Sequence, residues 1–185
     1  MTSDLVARAQ CGDRQAFDAL ATAEYDRLYA VARRILRDGY AAEDAVQDTL
    51  IRAWRDLRSL RDPDRFEAWL HRLLVRACQD QFRRNRRGVV AVEVLTDRLD
   101  PSDDYARVIH RDELERAFLG LSIDQRAVLV LTHYVGLPAA EVASILGIPS
   151  GTVSSRLHYG LRTMRAALSG SSSAVSATSL SEHGR

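Results

Sequence analysis

Apolar positions return along this chain at helical spacing almost from end to end. From Arg14 to Arg37, Phe17, Leu20, Tyr25, Leu28, Ala32 and Ile35 recur at three-to-five-residue steps, which predicts one helix or a helix pair. Gly39 punctuates. Glu43 to Leu57 carries a cleaner stripe of Val46, Leu50, Trp54 and Leu57, with Ile51 beside it. The opposite face holds Asp44, Gln47, Asp48, Arg52 and Arg55, acids first and arginines last, as the helix macrodipole favours. Pro63, within Arg61-Asp-Pro-Asp-Arg65, biases Asp62 away from helix and predicts a break. A third amphipathic helix is predicted from about Phe66 to Arg86, with Trp69, Leu70, Leu73, Leu74, Ala77 and Phe82 as its apolar residues.

The helical period is lost over residues 88–106, where Asp97, Asp100, Pro101, Asp103 and Asp104 predict an acidic, mobile linker. It resumes at about Arg107–Leu119. Ser122 is placed to cap a helix from Ile123 to Tyr134, which Gly136 ends. A short helix, Pro138 to Leu146, has Pro at a tolerated first-turn position. A tight turn, Gly147-Ile-Pro-Ser150, leads into a last helix from Gly151 to about Leu168. From Ser169 onward, seven of 17 residues are Ser, which predicts a disordered tail. The reading is all-α: two small helical modules, 1–87 and 107–168, joined by the linker 88–106 and followed by the tail 169–185. No strand pattern and no repeat stands out.

Composition narrows the class. The chain has 185 residues, 46% hydrophobic and 28% charged, the balance of a globular protein of one domain or two small ones. No apolar run approaches the ~18 residues of a membrane span, and Met1 to Asp13 carries no signal-peptide core, so a cytoplasmic location is expected. Cys11 and Cys78 fit neither a metal site nor a disulfide framework, and the five scattered histidines contain no His-x-x-x-His pair, so no metal and no cofactor are expected. The net charge of +1 conceals an uneven distribution. All 26 basic residues are Arg, and four of them crowd into Arg83-Arg84-Asn85-Arg86-Arg87. That cluster suits a nucleic-acid backbone, or simply a solvated helix end.

The strongest local signal is Ala140-Glu-Val-Ala-Ser-Ile-Leu-Gly147 followed by Ile148-Pro-Ser-Gly-Thr-Val-Ser-Ser-Arg-Leu157, which reads as a helix-turn-helix. Val142, Ala143 and Leu146 face inward on the first helix. Gly147 supplies the left-handed position that lets the chain reverse. Ile148 plugs the gap, and Val153, Leu157 and Leu161 seat the second helix. Thr152, Ser154, Ser155, Arg156, Tyr159 and Arg162 are left facing out, a set suited to phosphates and base edges in a major groove. His158 is ambiguous and can half-bury against Leu161.

These residues resemble a bacterial RNA polymerase sigma factor. Leu121-Ser-Ile-Asp-Gln-Arg-Ala-Val-Leu-Val-Leu131 with Ala140 to Arg165 is similar to region four. Ala42-Glu-Asp-Ala-Val-Gln-Asp-Thr-Leu-Ile-Arg-Ala-Trp-Arg55, with Phe66-Glu-Ala-Trp-Leu-His-Arg-Leu-Leu74 and Asp80, Phe82, Arg83 and Arg84, is similar to region two. Two regions and a brief linker resemble the extracytoplasmic-function (ECF) group. The resemblance implies that Asp44, Gln47, Asp48, Arg52 and Arg55 dock on core RNA polymerase. It implies that Arg61, Asp62, Arg65, Phe66, Arg72, Arg76, Asp80, Arg83, Arg84, Arg86 and Arg87 meet the −10 promoter element, with a base pocket at the loop from Arg61 to Phe66. Trp69 lies on the apolar stripe and belongs to the core rather than to a stacking platform. The resemblance also implies that Thr152, Ser154, Ser155, Arg156, His158, Tyr159 and Arg162 read the duplex −35 element, with Arg156 foremost, and that an anti-sigma factor is a partner. Three departures stand out. Many relatives carry Asn in place of Arg76, a position used in −10 reading, and basic residues in place of Ser154 and Tyr159; the recognition helix is therefore less basic than usual, and weaker electrostatic anchoring is expected there.

A stand-alone helix-turn-helix regulator is the alternative. It would bind duplex DNA without polymerase. An enzyme is not expected, since no Gly-rich phosphate loop, nucleophile elbow or metal cluster is present.

Overall fold

A computed structural model describes residues 2–88 and 114–181, with side chains placed over 2–86 and 114–169. The first module comprises α1 (Thr2–Gln10), α2 (Arg14–Leu36), α3 (Gly39–Asp56) and α4 (Phe66–Gly88), with two 3-10 turns, Leu57–Ser59 and Pro63–Arg65, between α3 and α4. The second has a helical segment over 114–119, then α5 (Ile123–Leu129), α6 (Ala139–Leu146) and α7 (Ser150–Ser181). All regular structure among the described residues is helical.

Local chemistry explains most boundaries. Asp13 and Asp38 sit in extended backbone and accept hydrogen bonds from the Ala16 and Ala41 amides, which starts α2 and α3. Asp38 moves the start of α3 to Gly39, ahead of the predicted start at Glu43. Ser122 caps α5 as expected. Gln125 completes a capping box by accepting from the Ser122 amide at 2.9 Å. Pro138 stands at the N-cap of α6, and Gly147 ends that helix at φ 66°.

Four features depart from the sequence reading. Helix α1 has no counterpart among the predicted helices, yet Val6 and Ala9 are buried and anchor it to the first module. It has only 9 residues, about two and a half turns, too few to show a clear period. The stretch ending at Tyr134 widens into a π turn over Val130–Tyr134 rather than continuing as α-helix. Helix α7 runs on to Ser181 where a disordered tail was expected from Ser169. Residues 169–181 lack proline, so no residue among them removes a backbone donor or forbids helical φ/ψ. The fourth is Trp54. It is 43% exposed, although Val46 and Leu57 of the same stripe are fully buried. A four-residue step overshoots one helical turn, so the stripe drifts round α3 and leaves the core. Small residues at Ala41, Ala42, Ala45, Thr49 and Ala53 make the close approach instead. The predicted linker 88–106 and the start of the helix at 107–119 fall outside the described residues, apart from Gly88 and 114–119.

The two modules share one hydrophobic cluster that extends from Val6 to Val153. Helix α4 packs on α6, and α2 packs on α5 and the π turn. Arg126 is central to this seam and only 5% exposed. Its guanidinium donates to the carbonyls of Leu121 and Leu119 in its own module and reaches the Ile35 carbonyl at 3.4 Å. Burial, with the nearby charge of Arg37, pulls its pKa below the ordinary arginine value. Arg34 stacks 3.6 Å from the centre of the Tyr134 ring, and Arg37 pairs with Glu115.

Candidate nucleic-acid interface

Helix α3 turns one polar face outward. Asp44, Gln47 and Arg55 are exposed, while Asp48 and Arg52 are partly covered. Ile51 lies among them and is 64% exposed. The sequence pattern sets it beside the core stripe; the structure puts it at the middle of the charged face. The i, i+4 spacing from Gln47 through Ile51 to Arg55 is the signal that could have found it. Trp54 borders this face, its ring tilted on Phe17 at 5.0 Å. Arg55 hydrogen-bonds Asp56, which holds the Asp56 carboxyl below its ordinary range.

Helix α4 presents Arg72, Arg76, Arg83, Arg84 and Arg86 outward along one length. Arg87 lies beyond the described side chains. Phe66 was expected at the −10 element, and the structure corrects this: it is 2% exposed and closes the core at the start of α4. A side chain that apolar gains more by burial at the helix start than by standing in water. Trp69 is half-buried and lies 6.1 Å from the Phe66 ring, as a core residue should. Asp80 accepts from Arg52 at 3.0 Å and from Arg83 at 2.6 Å. Burial alone would raise the Asp80 carboxyl, but those two hydrogen bonds outweigh it and the net shift is downward. Asp48 accepts from Arg84 at 2.8 Å. The outward faces of α3 and α4 are therefore tied together by two ion pairs.

The loop between them exposes Arg61, Asp62 and Arg65. Asp62 accepts from the Asp64 amide at 3.1 Å and pairs with Arg65 at 3.4 Å, which pins the turn around Pro63.

On α7, Val153 is fully buried, and Leu157 packs on the same cluster. Ser154, Ser155, His158, Tyr159 and Arg162 stand out from the opposite side, and Thr152 is partly covered. His158 does not bury against Leu161; its ring is exposed and meets Tyr159 edge-on at 5.5 Å. Arg156 is engaged: it donates to Asp124 at 2.8 Å. The other oxygen of Asp124 accepts from Gln79 of α4 at 2.9 Å. The sequence reading missed Asp124 and Gln79, which meet only because the modules pack.

Two helical modules, the second ending in a helix-turn-helix with a polar outward face, define the sigma-70 class of transcription initiation subunits. Residues 20–88 match the family model of sigma-70 region 2, and residues 111–164 match that of sigma-70 region 4. The chain is 36% identical over 154 residues to the ECF RNA polymerase sigma factor SigM of Mycobacterium tuberculosis, covering 83% of this chain and 78% of that one. Its fold is similar to that of CnrH, solved in complex with the cytosolic domain of CnrY (TM-score 0.65, 28% identity, covering 91% of this chain and 97% of that one). It is also similar to RpoE of Bartonella quintana, solved in complex with the anti-sigma factor NepR (TM-score 0.66, 26% identity, covering 83% and 96%). The chain belongs to the ECF RNA polymerase sigma factors. It is a promoter-directing subunit of RNA polymerase and not a stand-alone regulator, and its family is one of non-catalytic initiation factors. No helix among the described residues is long and apolar enough to cross a membrane.

Proposed function

We propose that the two modules divide promoter recognition between them, with residues 1–87 binding core polymerase and the −10 element and residues 107–168 binding the −35 element. Asp44, Gln47, Asp48, Arg52 and Arg55 form the polar rim of the polymerase contact, and Ile51 is its apolar centre. A large apolar side chain inside a charged ring is the usual anatomy of a protein interface. Along α4, Arg72, Arg76, Arg83, Arg84, Arg86 and Arg87 track the backbone of the opened strand. Asp80 orients Arg52 and Arg83. The loop bearing Arg61, Asp62 and Arg65 receives the extruded base, since single-strand capture needs cations for phosphates and a formed pocket for the base. On α7, Thr152, Ser154, Ser155, His158, Tyr159 and Arg162 face the duplex, and Arg156 joins them by exchanging Asp124 for DNA. The RpoE–NepR complex supports an anti-sigma factor as a further partner. Work with RNA polymerase supports a cytoplasmic location.

The observation that supports this reading most directly is Ile51, 64% exposed within a face of acids and arginines. The test is transcription from a randomised promoter library with and without core RNA polymerase. Initiation is expected only with polymerase, and the selected promoters report both elements. Ile51→Asp is expected to abolish initiation by lowering core affinity. Arg156→Ala is expected to cost about 1–3 kcal/mol of −35 discrimination. Unchanged core affinity in the first, or unchanged −35 preference in the second, would remove that residue from its role.

A further inference from the structure

Helix α1 lies before the residue-20 start of the region 2 match, and it packs on α2 and on both 3-10 turns of the loop between α3 and α4. Gln10, its last residue, is half-buried. Its Nε2 donates to the Leu60 carbonyl at 2.6 Å and to the Leu57 carbonyl at 3.1 Å. Both acceptors are carbonyl oxygens, so the amide must present its NH2 group to them. The tie is reciprocal: Arg58 Nε donates back to the Gln10 carbonyl at 3.3 Å. At the other end of α1, Ser3 Oγ donates to Asp64.

The Asp62 ties to the Asp64 amide and to Arg65 lie within the turn itself and do not fix where the turn sits on the module. Leu60 and Phe66 are buried and mark where it enters and leaves the core. Between them, Arg61, Asp62, Asp64 and Arg65 are exposed, and their turn closes through the Arg65 amide on the Asp62 carbonyl at 3.1 Å. Gln10 grips the carbonyl of Leu60, the residue from which this exposed segment departs. Ser3 grips Asp64 near its far end.

We propose that α1 is a brace that sets the geometry of the base-reading loop, with Gln10 as the chief positioning residue and Ser3 as the second. This rests on the reading of that loop as the pocket for the extruded base. Capturing an unstacked base requires a pocket formed beforehand, held to about 0.5 Å. Without Gln10, water can satisfy the two carbonyls, so the fold survives while the loop loses its set position. The consequence is specific to −10 opening and to the base preference there.

The test uses the full chain bound to core RNA polymerase on a library randomised across the −10 element. Gln10→Leu keeps the volume and removes the donor. It is expected to reduce permanganate-detected strand opening about tenfold, the scale of one lost charge-free hydrogen-bond pair. It is also expected to flatten the base preference at the position the loop reads. Ser3→Ala, a surface change that leaves folding intact, is expected to shift the same preference by less. Core affinity is expected to stay unchanged in both. Arg61→Ala and Asp62→Ala test the loop reading itself. If these two alter the base preference and neither Gln10→Leu nor Ser3→Ala does, the brace is overturned and the loop reading stands. If none of the four alters it, the loop reading falls and the brace with it. If Gln10→Leu weakens core binding in proportion to opening, α1 supports the whole module, and the brace is overturned.

Discussion

Cys78 and Cys11 show how burial alone separates two copies of one side chain. Cys78 is fully buried and Cys11 is exposed. Burial pushes the Cys78 thiol up to about 12, so almost no thiolate exists at neutral pH. A maleimide reagent is expected to label the native chain once, at Cys11, and the unfolded chain twice; native labelling of Cys78 would contradict the packing of α4. His71 supplies a pH-dependent counterpart. Burial lowers its pKa, against the opposing charges of Glu67 and Glu141. The folded value lies below the unfolded value of about 6.5, so the unfolded chain binds more protons just under that pH. Stability is full above about pH 6.5 and falls as pH drops through the window beneath it. The midpoint of thermal unfolding is expected to decline between pH 7 and pH 5.5, and His71→Leu is expected to flatten that part of the decline. At the same scale, Asp124 holds Arg156 and Gln79 on its two oxygens. A promoter phosphate or guanine edge has to offer Arg156 at least as good an acceptor.

The helices owe their limits to a few side chains at their ends. The capping box at Ser122 and Gln125 satisfies two amides at the start of α5, a helix of only 7 residues. So short a helix gains little from its own propagation, and its first turn matters correspondingly. Ser122→Ala is expected to cost about 1 kcal/mol, measured as a shift in the denaturant midpoint without a change of slope. Gly160 acts at the middle of α7, where a Cβ would come within 3.2 Å of Leu129 Cδ1. A bare backbone there lets α7 lie close on α5. On α3, small residues inside and a mixed polar face outside leave Ile51 exposed and Trp54 covered only in part, by Phe17. The element is held by Val46, Leu50 and its alanines, while Ile51 and Trp54 stand at the surface.

At the scale of the whole molecule, the modules are joined by a seam rather than merely strung together. Arg126 fills it with a buried cation whose donors meet backbone carbonyls from both sides. A buried cation is tolerable only while such partners remain. Arg126→Ala is expected to destabilise the chain by about 2–3 kcal/mol, because the carbonyls it serves lose their donor. The seam also has a partly covered rim, made of Arg34 over Tyr134 and Gln79 on Asp124. Tyr134→Ala combined with Asp124→Ala is expected to loosen the modules from one another while each stays folded. Small-angle scattering should then report a larger radius of gyration at unchanged helix content. An unchanged radius would show that the shared core holds the modules without the rim.

The amino-acid sequence alone determined the helical class, the break at Pro63, the reversal at Gly147 and the outward placement of Ser154, Ser155, Tyr159 and Arg162 on α7. Each is written within one or two turns of chain, in a period, a cap or a backbone preference. The arginine face of α4 was legible for the same reason. Tertiary structure decided the rest. It made Phe66 a core residue, brought Ile51 into the open, and turned Asp80 and Asp48 into ties between α3 and α4. It buried Arg126 and joined Gln79 to Asp124 across 45 positions of sequence. It also seated Gln10 on carbonyls 47 and 50 residues away. None of these is periodic. Each depends on which surfaces meet when helices pack, and a pattern of hydrophobic and polar positions says which face is buried but not what it is buried against.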